Sequence, residues 1–174
     1  MINAHPLTLE EAHALGEILQ VDSENKQECF QSSGLIPPKV LYTSHGKNGY
    51  AVWFTPAQSH KLCFVKDLGL EDTDYAMPPL VWKASRDELA IFALKINRRP
   101  DEKTDLYEAP FFNIHQDGKV CMGTVDIQIE LITSLEDFIE QWETYFYTSR
   151  FSHLLAERSP VKTNIIQLYH TLAK

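Results

Sequence analysis

The stretch Ala109-Pro110-Phe111-Phe112-Asn113-Ile114-His115-Gln116-Asp117-Gly118-Lys119-Val120-Cys121-Met122-Gly123 carries the clearest pattern in the chain. An asparagine stands eight residues before a cysteine, with Asp117-Gly118 between them to supply a tight turn. Val120 and Met122 flank the cysteine, which puts it on a short ordered segment rather than at a loop tip. Residues 95–125 around this stretch lack helical or strand periodicity, and a long irregular segment in a compact domain is either functional or disordered. Leu106, Tyr107, Pro110, Phe111, Phe112, Ile114, Val120 and Met122 supply too much apolar surface for a solvated tail.

The side chains suit acyl transfer. A thiolate is both a good nucleophile and a good leaving group, so Cys121 can accept an acyl group and hand it on. Transfer to an amine passes through a tetrahedral oxyanion, which calls for a preplaced amide donor, and Asn113 is the candidate. Lys119 and His115 lie close enough in sequence to favour the thiolate, and Asp117 to oppose it. The blander readings differ by residue. A lone cysteine is commonly a small buried hydrophobe, and that reading is taken for Cys29 and Cys63, the latter inside an apolar strand. Asn113 also suits a turn cap, His115 a solvated turn position, and Tyr107, Phe111 and Phe112 packing.

Outward from this stretch, residues 39–43, 50–54, 61–65 and 89–94 are rich in β-branched, aromatic and leucine residues, punctuated by Gly46, Gly49, Pro56 and Gly69. The short gaps between the first three predict hairpins and an antiparallel meander. Residues 77–82 precede the last strand as an extended segment, because residues before proline avoid the helical region. Pro37-Pro38 stops the first strand on its N-terminal side.

Thr8-Leu9-Glu10-Glu11 is a capping box, and Leu9, Ala12, Leu15, Ile18 and Leu19 recur at helical spacing, predicting a helix over 8–20 and a loop over 21–27. Ser134-Leu135-Glu136-Asp137 caps a second helix with Phe138, Ile139, Trp142, Tyr145 and Phe146 on its apolar stripe. Ser159-Pro160 predicts the start of a third, with Val161, Ile165, Leu168 and Leu172 on its buried side. Helix, antiparallel strands, long loop and helices in that order read as one α+β domain over 1–174.

Composition narrows the function. The 174 residues are 44% apolar and 23% charged, enough for a real core, and 16 basic against 24 acidic side chains leave a net charge of −8. An acidic chain is a poor phosphate-backbone binder, so nucleic acid is not expected as a partner. The three cysteines form neither a disulfide framework nor a zinc ligand set, and the acyl-transfer scheme read above needs no metal or organic cofactor. No basic region followed by an apolar run opens the chain and no apolar stretch reaches membrane-spanning length, so a reducing cytoplasmic location is expected.

The central stretch resembles the active-site loop of ubiquitin-conjugating enzymes, in which a His-Pro-Asn motif precedes a turn and the catalytic cysteine. Asn113, Ile114, Gly118, Val120 and Cys121 match in residue class and spacing, and Pro78-Pro79 followed by Val81 resembles the proline-rich segment before the family's fourth strand. Phe111 and Phe112 stand where His and Pro would be, Met122 replaces a leucine, and Gly123 replaces a polar residue. The bacterial branch is the closer likeness. Pro78 to Trp82, Leu89-Ala90-Ile91-Phe92-Ala93-Leu94, Arg99-Pro100, Tyr50-Ala51-Val52-Trp53-Phe54 and Ser149-Arg150-Phe151-Ser152-His153 resemble the prokaryotic conjugating-enzyme-like family D, which includes protein B of the ParB-related, ThiF-related (PRTRC) cassette.

That resemblance implies a ubiquitin-conjugating-enzyme-like fold: an N-terminal helix, a four-stranded antiparallel meander, the active-site loop and C-terminal helices. It implies that Cys121 receives a ubiquitin-like protein from a ThiF-like activating enzyme as a thioester and passes it to an acceptor protein's amine. Asn113 would assist, with His153, His115 and Gly118 as possible supporting residues. Two other readings stay open: a Cys–His hydrolase with His153 or His115 as base, and a noncatalytic binding module of the same fold.

Overall fold

The computed structural model describes residues 8–11, 13–14, 32, 34–45, 48–130, 133–155 and 158–173. Residues 9–11 and 13–14 are helical, and the capping box forms as expected. The Thr8 hydroxyl accepts from the Glu11 N–H, and the Glu11 carboxylate accepts from the Thr8 N–H and hydroxyl. The remainder of the helix expected over 8–20, the loop over 21–27 and Cys29 lie outside the described residues.

Among the described residues six main strands follow: β1 Val40–Ser44, β2 Tyr50–Thr55, β3 Gln58–Phe64, β4 Thr73–Met77, β5 Leu80–Ala84 and β6 Leu89–Ala93. Later come the two-residue β7 Tyr107–Glu108, helix α1 Leu135–Thr148, the two-residue β8 Arg150–Phe151 and helix α2 Ile165–Leu172. One sheet runs β1-β2-β5-β6-β7, antiparallel throughout, and a smaller one runs β4-β3-β8.

The two sheets share one long hairpin. Thr55 pairs with Leu80 and Gln58 with Met77, a single register that skips Pro56-Ala57 on one arm and Pro78-Pro79 on the other. Proline offers no N–H to a ladder, so the hairpin creases at this line and its outer half, β3 with β4, separates as the second sheet. The expected pairing of residues 50–54 with 61–65 is thereby corrected. Those segments lie end to end on one arm, and β2 pairs instead with β5, which falls largely within the segment expected only to be extended. Counted as arms, the meander has four members, but two of the expected strands share one arm, and the arm of β4 and β5 was not among the expected strands.

Alternation decides what faces inward. Ala51, Trp53 and Thr55 on β2 and Leu89, Ile91 and Ala93 on β6 are buried, the period of two that one covered face requires. The α1 helix, capped by Ser134 accepting from the Asp137 N–H, lays Leu135, Phe138, Ile139, Trp142 and Phe146 on that face. Trp53 and Trp82 stack at 5.8 Å, and Phe146 meets Trp82 edge-on at 5.4 Å. Each indole finds an acceptor: Trp53 Nε1 donates to Glu143, Trp82 Nε1 to Thr55 Oγ1 and Trp142 Nε1 to the Ser85 carbonyl. Three large buried side chains of this kind stabilise by about 1.5–3 kcal/mol each. Without acceptors, the buried N–H groups would oppose that gain.

The last helix starts later than Ser159-Pro160. Asn164 caps it, its side chain accepting from the N–H groups of Ile166 and Gln167, and residues 160–163 are bent rather than helical. An Asn cap satisfies two orphan donors at once, which proline at a first helical position does not do. Its buried side is Ile165 and Tyr169, one turn apart, with Leu168 and Leu172 half-buried.

Candidate active site

The eight-residue spacing of Asn113 and Cys121 is the width of a small hairpin. Cys121 N–H donates to the Asn113 carbonyl at 2.8 Å, Ile114 and Val120 bridge, and His115 N–H donates to the Lys119 carbonyl at 2.8 Å. The turn closes with Gly118 N–H donating to the His115 carbonyl, and Gly118 takes φ +85°, a left-handed conformation that suits glycine. Asp117 Oδ1 accepts the Lys119 N–H at 3.0 Å, holding the turn from inside. Asn113 and Cys121 therefore face each other across a ladder.

This hairpin is docked rather than free. Val120 N–H donates to the Leu89 carbonyl, Ile91 N–H donates to the Gly118 carbonyl, and Ala90 bridges Lys119, so its second arm lies along β6. The entering arm is anchored by aromatic packing. Phe111 is buried edge-on to Phe146 of α1 at 4.9 Å, and Phe112 stacks on Tyr169 of α2 at 5.5 Å. The Tyr169 hydroxyl donates to the Pro110 carbonyl, and burial pushes its pKa well above the usual tyrosine value. Phe111 and Phe112 thus hold this arm by packing, as expected of them.

The buried Asn113 carboxamide faces β8. Its Oδ1 accepts the Ser152 N–H at 3.2 Å, and its Nδ2 donates to the Arg150 carbonyl at 3.4 Å. Those two groups lie on one edge of β8, while on the other edge the Phe151 carbonyl accepts the Val65 N–H beside β3. The side chain acts as a one-residue neighbouring strand. It links the Cys121 hairpin, and through it the large sheet, to the smaller sheet. An amide nitrogen carries two hydrogens, so this arrangement uses one and leaves the other available.

Cys121 itself is exposed and free, with half-buried Met122 next to it. Gly123 follows at φ +59° with nothing within 4 Å of where a Cβ would stand. His115 is exposed at the turn. His153 is exposed too, its Nδ1 sharing a 2.9 Å hydrogen bond with Ser152 Oγ, so Asn113 and His153 meet at Ser152. Among the described residues no imidazole forms a hydrogen bond with the Cys121 thiol. The Lys119 ammonium pairs with Glu88 at 3.1 Å on the surface. A groove of about 690 Å³ lies beside the hairpin, lined by Tyr50, Lys83, Phe92, Asp117 and Lys119 among others, and Cys121 is not part of its wall.

Cys63 departs from its expected buried role. Leu62 and Phe64 point into the core, so alternation turns Cys63 between them to the other face, where it is half-buried. Among the described residues no three His, Cys, Asp or Glu side chains gather as metal ligands, and no helix is long and apolar enough to cross a membrane. The groups that sequence reasoning missed as partners of Asn113 are the Arg150 carbonyl and the Ser152 N–H. Main-chain groups leave no residue-type signature.

A family model described as prokaryotic E2 family D matches residues 15–173. No curated protein and no solved structure matches the chain.

Proposed function

The chain belongs to prokaryotic E2 family D, a ubiquitin-conjugating-like family, and from that premise we propose that Cys121 is the acyl carrier of a conjugation reaction. The Cys121 thiolate attacks the thioester carbonyl joining a ubiquitin-like protein to a ThiF-like activating enzyme. The new thioester forms on Cys121 and the activating enzyme's thiolate leaves. An acceptor amine then attacks the Cys121 thioester and loses its proton to solvent. The tetrahedral oxyanion collapses, expelling the Cys121 thiolate and leaving an amide. Asn113 presents its second Nδ2 hydrogen to that oxyanion, a donor whose loss costs about 10²–10³ in rate in acyl-transfer enzymes. Gly118 shapes the turn that sets Cys121 opposite Asn113.

The observation that carries this reading is a free, exposed thiol on a residue held by a main-chain bond directly across from Asn113, whose own carboxamide is buried and fixed against β8. An open surface suits a protein-sized acyl group, whereas a small substrate would call for an enclosing pocket. A Cys–His hydrolase needs an imidazole on the nucleophile, and His153 is bonded to Ser152. With the activating enzyme, ATP and the ubiquitin-like protein, the chain should form a thiol-sensitive adduct. Cys121→Ser should give a thiol-resistant oxyester or none. Adduct on Cys29 or Cys63 instead would refute the assignment.

A further inference from the structure

Arg150 meets the site through its main chain and leaves it through its side chain. Its carbonyl accepts from Asn113 Nδ2, while its guanidinium Nη1 donates to the Phe64 carbonyl. The same nitrogen lies 3.6 Å from Asp72 Oδ2, and Asp72 Oδ1 accepts the Phe64 N–H at 2.8 Å. Asp72 and Arg150 together therefore hold both main-chain polar groups of Phe64, where β3 pairs in parallel with β8 through Cys63–Arg150 and Phe64–Phe151.

A two-residue strand has little ladder of its own, and a slip along β3 would carry the Arg150 carbonyl and Ser152 N–H with it. Those groups orient the Asn113 carboxamide, and the Asn113 carbonyl holds the Cys121 amide. We propose that Asp72 and Arg150 are positioning residues that lock β8 in register on β3 and thereby aim the Asn113 carboxamide. The catalytic consequence rests on the acyl-transfer reading above; the geometric one does not.

A purely stabilising role fits the pair poorly. The Arg150 and Asp72 side chains are 57% and 39% exposed, and an ion pair so open to water contributes little to stability. Position is another matter, because a misplacement of about 1 Å in a reacting site can cost about 100-fold in rate.

The test compares Asp72→Ala and Arg150→Ala with Asp72→Asn, which keeps the acceptor, and Arg150→Lys, which keeps a charged donor. In the isolated ¹⁵N-labelled chain, the Asn113 side-chain amide resonances and the exchange rate of the Cys121 amide report the geometry. With partners added, charging of Cys121 and discharge of the preformed thioester are timed separately. The alanine variants should shift the Asn113 resonances, quicken Cys121 amide exchange, and slow discharge about 10- to 100-fold with charging unchanged. The conservative variants should recover most of both effects, and where an alanine variant does not fold, Arg150→Gln, which keeps the stem and removes the charge that faces Asp72, carries the test instead. Folded alanine or Arg150→Gln variants whose Asn113 resonances match wild type overturn the proposal, as does a fall in discharge matched by an equal fall in charging. A wild-type chain that takes no adduct at Cys121 would refute the proposed function, while the resonances would still decide whether the clamp exists.

Discussion

Gly118→Ala tests the geometry of the Cys121 hairpin through two separable costs. The first is conformational: at φ +85° an L residue is strained by about 1–2 kcal/mol. The second is steric, since a Cβ at Gly118 would stand 2.5 Å from Phe92 Cζ and 2.6 Å from Cε1. Overpacking costs about 1–3 kcal/mol, and the low end applies here, because the ring tip of half-buried Phe92 can swing aside. The sum is about 2–3 kcal/mol, a large share of the 5–15 kcal/mol that holds an ordinary domain together.

The control is Gly69→Ala, which shares the conformational cost at φ +64° but has nothing within 4 Å of its Cβ position. Urea unfolding of both variants, with Gly118→Ala repeated in a Phe92→Ala background, separates the two costs. The steric part, about 1 kcal/mol, should vanish in that background while the conformational part stays. Alkylation of Cys121 should also change in Gly118→Ala and stay at the wild-type rate in Gly69→Ala. If Gly118→Ala costs no more than Gly69→Ala, the close approach to Phe92 is wrong. If it costs less than about 0.5 kcal/mol, as an ordinary surface change does, the hairpin is built differently.

Asn113→Asp keeps an oxygen for the Ser152 N–H and removes the amide donor, so discharge to an amine should fall about 10²–10³-fold in a folded protein; unchanged discharge would remove the oxyanion role. His153→Ala should leave charging and discharge near wild type, whereas abolished turnover would restore the hydrolase reading. His60 stacks on Tyr147 at 3.6 Å, and burial lowers its pKa below 6.5 against the opposing pull of Glu143 and Asp74. The folded state therefore binds this proton less readily than the unfolded chain does, so the stabilisation is complete above about pH 6.5 and is lost as pH falls from there through the lowered value. Urea midpoints between pH 7.5 and 5 should drop more steeply for wild type than for His60→Phe, and parallel profiles would refute the linkage.

How much of the fold was legible depended on whether a signal was local. The α1 helix was readable because its cap and its apolar stripe lie within one segment, and only one aromatic of the stripe was misplaced: Tyr147 is buried, and Tyr145 lies at the edge with its hydroxyl near Gln128. Similarly, alternation exposed β2 and β6. By contrast β4, with Asp74 exposed between Thr73 and Tyr75, carries a weak apolar pattern, and its place is set by register with β3 across the connection at 65–72. The prolines at 56, 78 and 79 were visible as punctuation. That they fall opposite one another, and so crease a single hairpin instead of ending two, follows only from pairing.

The candidate site divides along the same line. Asn113 and Cys121 could be recognised because a turn with glycine in the left-handed position turns a fixed count along the chain into a contact across it. Local geometry did that work. The orientation of the carboxamide has no such encoding: it depends on main-chain groups of Arg150 and Ser152, which any residue type supplies, and on a guanidinium whose partner, Asp72, lies 78 positions earlier. Ser149 to His153 stood out by resemblance, which suggested roles for His153 and none for the main chain of Arg150 and Ser152. The physical reason is that β8 matters as an edge. It offers one row of polar groups to β3 and the opposite row to a side chain, so its importance lies in where it is held more than in which residues compose it.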